Sequence, residues 1–257
     1  MSATSWCIQG MGRTIIIGDV HGCLEEFQAL MTLVSYERGR DRAVQLGDLL
    51  DRGPDPIGCV RFAQEQHMEV LRGNHEDKHI RWRRHEQTRG AKKNPVQGIT
   101  GIRAEQSLAL SDHDLQWLHG NPLMLDLGDN LVAVHAGLEP AYSVAQQSHA
   151  VSRVRYVDAG GQMVGFIHGS LDRPANTVFW SGRWKGPESV VYGHAIYSLT
   201  EPRIDRFDGG ACYGIDTGCV YGGQLTAMIV TAGSSDVEFA HVPAKAVYCE
   251  GFQPTST

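Results

Sequence analysis

Five short apolar runs in this chain end alike. Ile-Ile-Ile-Gly leads into Asp19, Val-Gln-Leu-Gly into Asp48, Val-Leu-Arg-Gly into Asn74, Val-Ala-Val into His135 and Val-Tyr-Gly into His194. Brief β-branched and aliphatic runs bounded by Gly, Asp or Asn read as buried strands. In open α/β sheets the ligand site lies beyond the carboxyl ends of such strands. Gly at that point lets the backbone turn sharply or approach a ligand closely. The pattern therefore calls for a fold that gathers several strand ends at one edge, each delivering an Asp, Asn or His.

The remaining patterning agrees. Residues 14–17, 43–46, 68–71, 123–127, 131–134, 189–192, 212–215 and 225–230 read as strands. Leu24, Phe27, Leu30, Met31 and Val34 recur at helical spacing. Asp55-Pro56 reads as an N-cap followed by proline at the first helical position, opening a helix to about Gln66. The first half alternates β and α and the second is mainly β, which gives one mixed α/β domain. The segments 90–98 and 151–174 read as excursions from it.

Composition narrows the class. The 257 residues are 42% hydrophobic and 20% charged, which excludes wholesale disorder. The 30 glycines follow no collagen period. No apolar run approaches the roughly 20 residues needed to span a bilayer, and residues 1–12 carry no secretory pattern. Cys7, Cys23, Cys59, Cys212, Cys219 and Cys249 form no CxxC and match no zinc spacing. A cytoplasmic monomer with reduced thiols is expected. The net charge of −6 argues against dedicated duplex nucleic-acid binding, although residues 72–93 carry a local +5.

With His21, two residues past Asp19, the strand-end set is Asp19, His21, Asp48, Asn74, His135 and His194. Carboxylate, imidazole and amide oxygen together suit first-row divalent metals such as Mn, Fe, Ni, Co or Zn. Six ligands exceed what one open transition-metal site uses. They suit two ions about 3.5–4 Å apart that share a carboxylate.

The motifs are sharper still. Gly18-Asp19-Val20-His21-Gly22, Gly47-Asp48-Leu49-Leu50-Asp51-Arg52-Gly53 and Gly73-Asn74-His75-Glu76 follow in order. His135-Ala136-Gly137 and Gly193-His194 come later. This series resembles the calcineurin-like metallophosphoesterases, and most of all their phosphoprotein phosphatase branch, from Thr14 to Val230. The resemblance implies a layered α/β/β/α sandwich, with a catalytic domain over 13–243 and terminal extensions at 1–12 and 244–257. It implies one metal on Asp19, His21 and Asp48, and a second on Asp48, Asn74, His135 and His194. Mn2+ is the leading choice of ion. It also implies a metal-bridging hydroxide as nucleophile, His75 as general acid oriented by Asp51, and Arg52 on the phosphoryl oxygens, with Asn74 beside them. Arg183, with Lys185 next, is the expected second phosphate clamp. Asp216, in Ile215-Asp216-Thr217-Gly218-Cys219, is expected to hydrogen-bond a metal-ligating histidine. Glu76 is either an acid supporting the site or an early helix residue favoured by the dipole.

The chemistry is more legible than the substrate. A serine/threonine or dual-specificity phosphoprotein phosphatase is the leading reading. Symmetrical diadenosine tetraphosphate hydrolysis is the alternative, because residues 214–226 are similar to those hydrolases. They often lack an Asp equivalent to Asp51, however, and often carry Asp after Gly-Asn-His. A nucleotide or RNA-end phosphatase stands beside them. A silent scaffold that only binds phosphorylated partners is disfavoured because no ligand is missing. The basic segment 72–93 is either a rim that binds distal phosphates or a solvated helix face.

Overall fold

The structure is a computed structural model that describes residues 12–88, 90, 92–165, 173–234, 236–252 and 254–255. Cys7, Arg89, His168 and the N-terminal extension up to residue 11 lie outside the described residues. Along the chain run β1 (Arg13–Ile17), α1 (Leu24–Leu33), β2 (Arg42–Gln45), α2 (Pro56–Glu65), β3 (Glu69–Val70), α3 (Asn74–Thr88), α4 (Ile102–Ala109) and α5 (Asp112–Gly120). Then come β4 (Met124–Gly128), β5 (Leu131–Val134), β6 (Tyr156–Val157), β7 (Met163–Val164), β8 (Val178–Phe179) and β9 (Ser189–Tyr192). Last are β10 (Arg203–Phe207), β11 (Gly210–Gly214), β12 (Gln224–Thr231) and β13 (Val237–Pro243).

Two five-stranded sheets stack face to face, ordered β13-β12-β1-β2-β3 and β10-β11-β9-β5-β4. Alternation along β1 explains the layering. Ile16 points into the space between the sheets with Val44, Leu46, Leu71, Ala133, Val191 and Met228. Ile15 and Ile17 point the other way, onto Phe27, Leu30 and Val60 of α1 and α2. The outer face of the second sheet is covered by the small sheet β7-β6-β8 and by short 3₁₀ turns, with Trp180, Trp184 and Tyr156 filling that layer.

Each five-stranded sheet contains three adjacent parallel strands: β1, β2 and β3 at one side of the first, flanked by antiparallel β12 and β13, and β11, β9 and β5 at the centre of the second, between antiparallel β10 and β4. In the first, Ile17 pairs with Gln45 and Gln45 with Val70. In the second, Val134 pairs with Tyr192 and Tyr192 with Gly214. The carboxyl ends of all six parallel strands are thus level. The residues that follow them meet at one edge of the sandwich.

The helix signals act as the sequence suggests. Asp55 accepts a bond from the Gly58 N–H at 2.7 Å and Pro56 opens α2. Some elements differ from expectation. The helix expected near Glu76 begins at Asn74, and the expected strand 68–71 is only two residues long. α4, α5, β10 and β13 were not anticipated. α5 nevertheless carries a capping box, Ser111 with Asp114, and β13 pairs with β12 along its whole length. The C-terminal extension is tied down: the Lys245 N–H and the Tyr248 hydroxyl both donate to Glu26 of α1. Among the described residues, no helix is long and apolar enough to cross a membrane.

Candidate active site

Of the six expected metal ligands, His21, Asp48, His135 and His194 bring donor atoms together at the level strand ends, with Asn74 beside His135, while Asp19 belongs to neither close group. The donor atoms of His21, Asp48 and His75 lie within 4.8 Å of one another, and so do those of Asp48, His135 and His194. Asp48 belongs to both groups. The Asn74 Oδ1 is 3.0 Å from the His135 Nε2. Asp19 accepts the His194 backbone N–H at 3.0 and 3.1 Å, so its carboxylate faces the second sheet.

The backbone is bent to achieve this. His21, Asp48, Asp51, Arg52 and His194 all have positive φ, between 46° and 72°, a region non-glycine residues seldom occupy. Gly47 sits at φ +96°, where a Cβ would stand 2.9 Å from the His135 Nδ1. Glu76 holds the turn after β2 together. Its buried carboxylate accepts the N–H groups of Asp48 (2.8 Å), Leu50 (3.1 Å) and Gly73 (3.0 Å). It is therefore a scaffold for the Asp48–Gly53 loop, and burial with the nearby Asp48 charge lifts its pKa to about 7.

Two of the expected ligand histidines are oriented by main-chain carbonyls. The Nδ1 of His21 bonds Leu50 O and the Nδ1 of His135 bonds Leu46 O, both at 2.8 Å. This leaves each Nε2 facing the cluster. The expected bond from Asp216 to a ligating histidine is not formed. Its Oδ1 instead accepts the Gly218 N–H at 3.0 Å, because the left-handed turn at Gly218 brings that N–H back over the carboxylate.

The donor set fits divalent cations. Burial, then the neighbouring Asp216 charge, pushes the Asp19 pKa well above the usual carboxylate range. Burial lifts Asp216 to about 6. Burial, reinforced by Arg52 for His21 and by Arg155 for His194, holds both imidazoles well below their usual pKa. Burial alone would lower the His135 pKa, but the Asp48 charge instead raises it to about 10, and the crowded carboxylates and imidazole nitrogens together are a donor set that suits divalent cations.

Around this cluster lie His75, the expected general acid, its carboxylate partner Asp51, and several cationic side chains. The His75 Nδ1 bonds the Asp51 Oδ2, and its Nε2 lies 3.8 Å from the Asp48 Oδ2 and 3.4 Å from the Arg52 Nη2. The Asp51 Oδ1 also meets the His79 Nε2 at 2.8 Å and the Arg103 Nε at 2.7 Å. Burial alone would raise the Asp51 pKa, but these bonds hold it far below the carboxylate range. Arg52 reaches the His21 Nε2 at 2.6 Å and lies over the Tyr221 ring.

Sequence reasoning missed three of these groups. His79 and Arg103 share no motif with Asp51 and meet it only through α3 and α4. Arg155 lies in the segment read as an excursion. Its Nη2 bonds the His194 carbonyl at 2.9 Å, and its half-buried charge bears on Asp216 and Arg52. Arg183, the expected second clamp, is exposed at the end of a 3₁₀ turn and donates to Ala159 O at 3.2 Å. Its position after that turn directs it across the small outer layer.

Three cations of the basic segment are occupied within the fold. Arg83 donates to Ser107 O and Leu110 O, tying α3 to the end of α4. Arg72 donates to His119 O, and Arg81 pairs with Asp77. A cleft of about 540 Å3 opens beside His75, lined by Arg52, Arg103, Gln106, Ile102 and Tyr248 among others. A second cavity of about 470 Å3, beside Arg13, Arg42 and Tyr213, lies at the opposite end of the sheets and touches none of these groups.

Comparison with known proteins agrees with this geometry. The family model described as calcineurin-like phosphoesterase matches residues 12–198. A relative from Chromohalobacter salexigens, named symmetrical bis(5'-nucleosyl)-tetraphosphatase, is 31% identical over 89% of this chain and 98% of its own. The asymmetrical bis(5'-nucleosyl)-tetraphosphatase PrpE of Bacillus velezensis is 33% identical over 82% of this chain and 86% of its own. A crystal structure provisionally assigned as a diadenosine tetraphosphatase superposes with a TM-score of 0.69 at 25% identity, over 92% of this chain and 95% of its own. The relatives' names favour the dinucleotide alternative over the phosphoprotein reading. The chain belongs to the calcineurin-like phosphoesterase family and is a phosphoester hydrolase.

Proposed function

We propose that this chain hydrolyses dinucleoside polyphosphates of the diadenosine tetraphosphate type, with two divalent cations, Mn2+ first among them. The cleft beside His75 carries the reading. It offers the guanidinium of Arg52 to phosphate and the apolar surfaces of Ile102 and Tyr248 to a nucleobase, with Arg103 in its wall engaged by Asp51 and Gly98. It lies on the side where a leaving group receives its proton from His75. The names of relatives covering nearly the whole chain support the same substrate class.

Asp19, His21 and Asp48 would hold one ion, and Asp48, Asn74, His135 and His194 the other. Such ions supply Lewis acidity that activates water and offsets phosphoryl charge. The protein's own groups do the rest. Arg52 and the half-buried Arg155 bind phosphoryl oxygens, with Arg52 able to use a bidentate fork. Asp51 accepts the Nδ1–H of His75 and orients the ring so that, in its imidazolium form, the Nε2–H can protonate the departing phosphate oxygen. Arg103 and His79 hold Asp51.

The test places diadenosine tetraphosphate and a phosphoserine peptide in one tube with Mn-loaded enzyme and compares kcat/KM. His75→Asn controls for contaminants. Preference for the dinucleotide by orders of magnitude supports the proposal, and the products separate symmetrical cleavage (ADP alone) from asymmetrical (ATP and AMP). Preference for the peptide overturns it.

A further inference from the structure

Beneath the start of α1 lies a second cluster of metal-binding side chains. Cys23 precedes α1 and Glu26 lies in its first turn, three residues on and so on the same face. Cys219 comes from the turn between β11 and β12. Their two sulfurs and one carboxylate oxygen lie within 4.8 Å of one another, and none of the three residues is more than 1% exposed. Around them pack Val20, Phe27, Val220 and a further thiol, Cys59.

Glu26 is the telling member. Its Oε1 is well served, accepting the Tyr248 hydroxyl at 2.8 Å and the Lys245 N–H at 2.9 Å. Its Oε2 is buried and, among the described residues, has no hydrogen-bond partner. A buried carboxylate oxygen left unpaired is costly, and native structures seldom leave one so. A Cys23–Cys219 disulfide would leave it still unpaired. A cation between the sulfurs and the carboxylate would satisfy it.

We propose that Cys23, Glu26 and Cys219 form a metal site for a thiophilic divalent ion such as Zn2+, separate from the strand-end centre. Bonds of about 2.3 Å to sulfur and about 2.0–2.2 Å to oxygen require the three donors to close by roughly 1 Å. Binding would release the two thiol protons to solvent. Two thiolates and one carboxylate against a divalent ion leave one net negative charge, shared with the Tyr248 and Lys245 donors. The site would pin the start of α1, the Asp216–Cys219 turn and the C-terminal segment to one another.

Cobalt reports this site selectively. The strand-end centre offers only nitrogen and oxygen donors, so thiolate-to-cobalt charge-transfer absorption in the near ultraviolet can come only from cysteines. The full chain would be produced with Co2+ present during folding, since the donors are buried. The expected result is a charge-transfer band in the wild type, lost in Cys219→Ser and Cys23→Ser and weakened or shifted in Glu26→Gln. One fewer metal equivalent per chain should accompany each serine variant. Absence of the band from the wild type overturns the proposal, and that spectrum needs no variant to fold. A wild-type mass lower by two hydrogens, with a Cys23–Cys219 cross-link, overturns it in favour of a disulfide.

Discussion

Arg103 grips both oxygens of the Asp51 carboxylate, its Nε donating to Oδ1 at 2.7 Å and its Nη2 to Oδ2. Asp51 in turn holds His75 and His79. One carboxylate thus joins the proposed acid, a buried histidine and a cation that lines the adjoining cleft. Arg103→Ala is expected to lower kcat for a small aryl phosphate by ~10–100-fold, the range for removing a supporting partner of an active-site group. For a dinucleotide, KM should rise as well. Arg103→Lys should recover little, because lysine lacks the fork. Unchanged kcat with both substrates would remove Arg103 from any role in positioning Asp51.

His75→Asn is expected to reduce kcat by ~10²–10⁴-fold, the usual contribution of a general acid, at unchanged metal content by elemental analysis. His75 shares the close group with His21 and Asp48, so a loss of metal in this variant would reassign it as a ligand.

Arg155 and Arg183 make a direct contrast. Arg155→Ala is expected to raise KM about 10-fold or more, in line with ~1.5–3 kcal/mol for hydrogen bonds to a charged group. Arg183→Ala should leave both constants nearly untouched, since its guanidinium is engaged with Ala159. The reverse ranking in steady-state kinetics would restore Arg183 as the clamp.

Gly193 tests the packing beneath Asp19. A Cβ there would stand 1.9 Å from the Asp19 Oδ1. Gly193→Ala should therefore displace that carboxylate and weaken binding of one metal ion, read by titration with Mn2+. Wild-type affinity for both ions would show that Asp19 is dispensable as a ligand.

Away from the site, Asp41 links stability to pH. Burial alone would raise its pKa, but the Arg13 guanidinium, at 2.8 and 3.2 Å, and the Glu37 N–H bring it below the usual value. A depressed folded-state pKa stabilises the fold above the unfolded value of about 3.9. That contribution is lost as pH falls through the folded value. Asp41→Asn should cost ~1–2 kcal/mol at neutral pH in urea unfolding, and the gap should close below about pH 4. A gap independent of pH would place the effect in packing instead.

Much of this molecule is written locally. A strand that ends in Gly followed by Asp, Asn or His specifies its own turn, so Asp19, Asp48, Asn74, His135 and His194 could be read as a set before any fold was known. The Asp55-Pro56 start of α2 is local in the same sense. The dyad of Asp51 and His75 was legible only through family resemblance, because their pairing depends on β2 and β3 lying side by side.

What the chain could not disclose in linear form is which distant segments close over those strand ends. Arg103 reaches Asp51 across 52 positions, and Arg155 reaches His194 across 39. Neither spacing carries a signal, because each contact is set by how α4 and the segment before β6 pack on the sandwich. The cysteines teach the same lesson. Their spacing matches no metal pattern, yet strand order brings Cys219 beside Cys23 and Glu26. Sequence determined the strand-end donors because turn geometry is decided by neighbouring residues. Tertiary structure decided the cations, the cleft and the buried thiol cluster, because those depend on register and layer order between segments far apart in the chain.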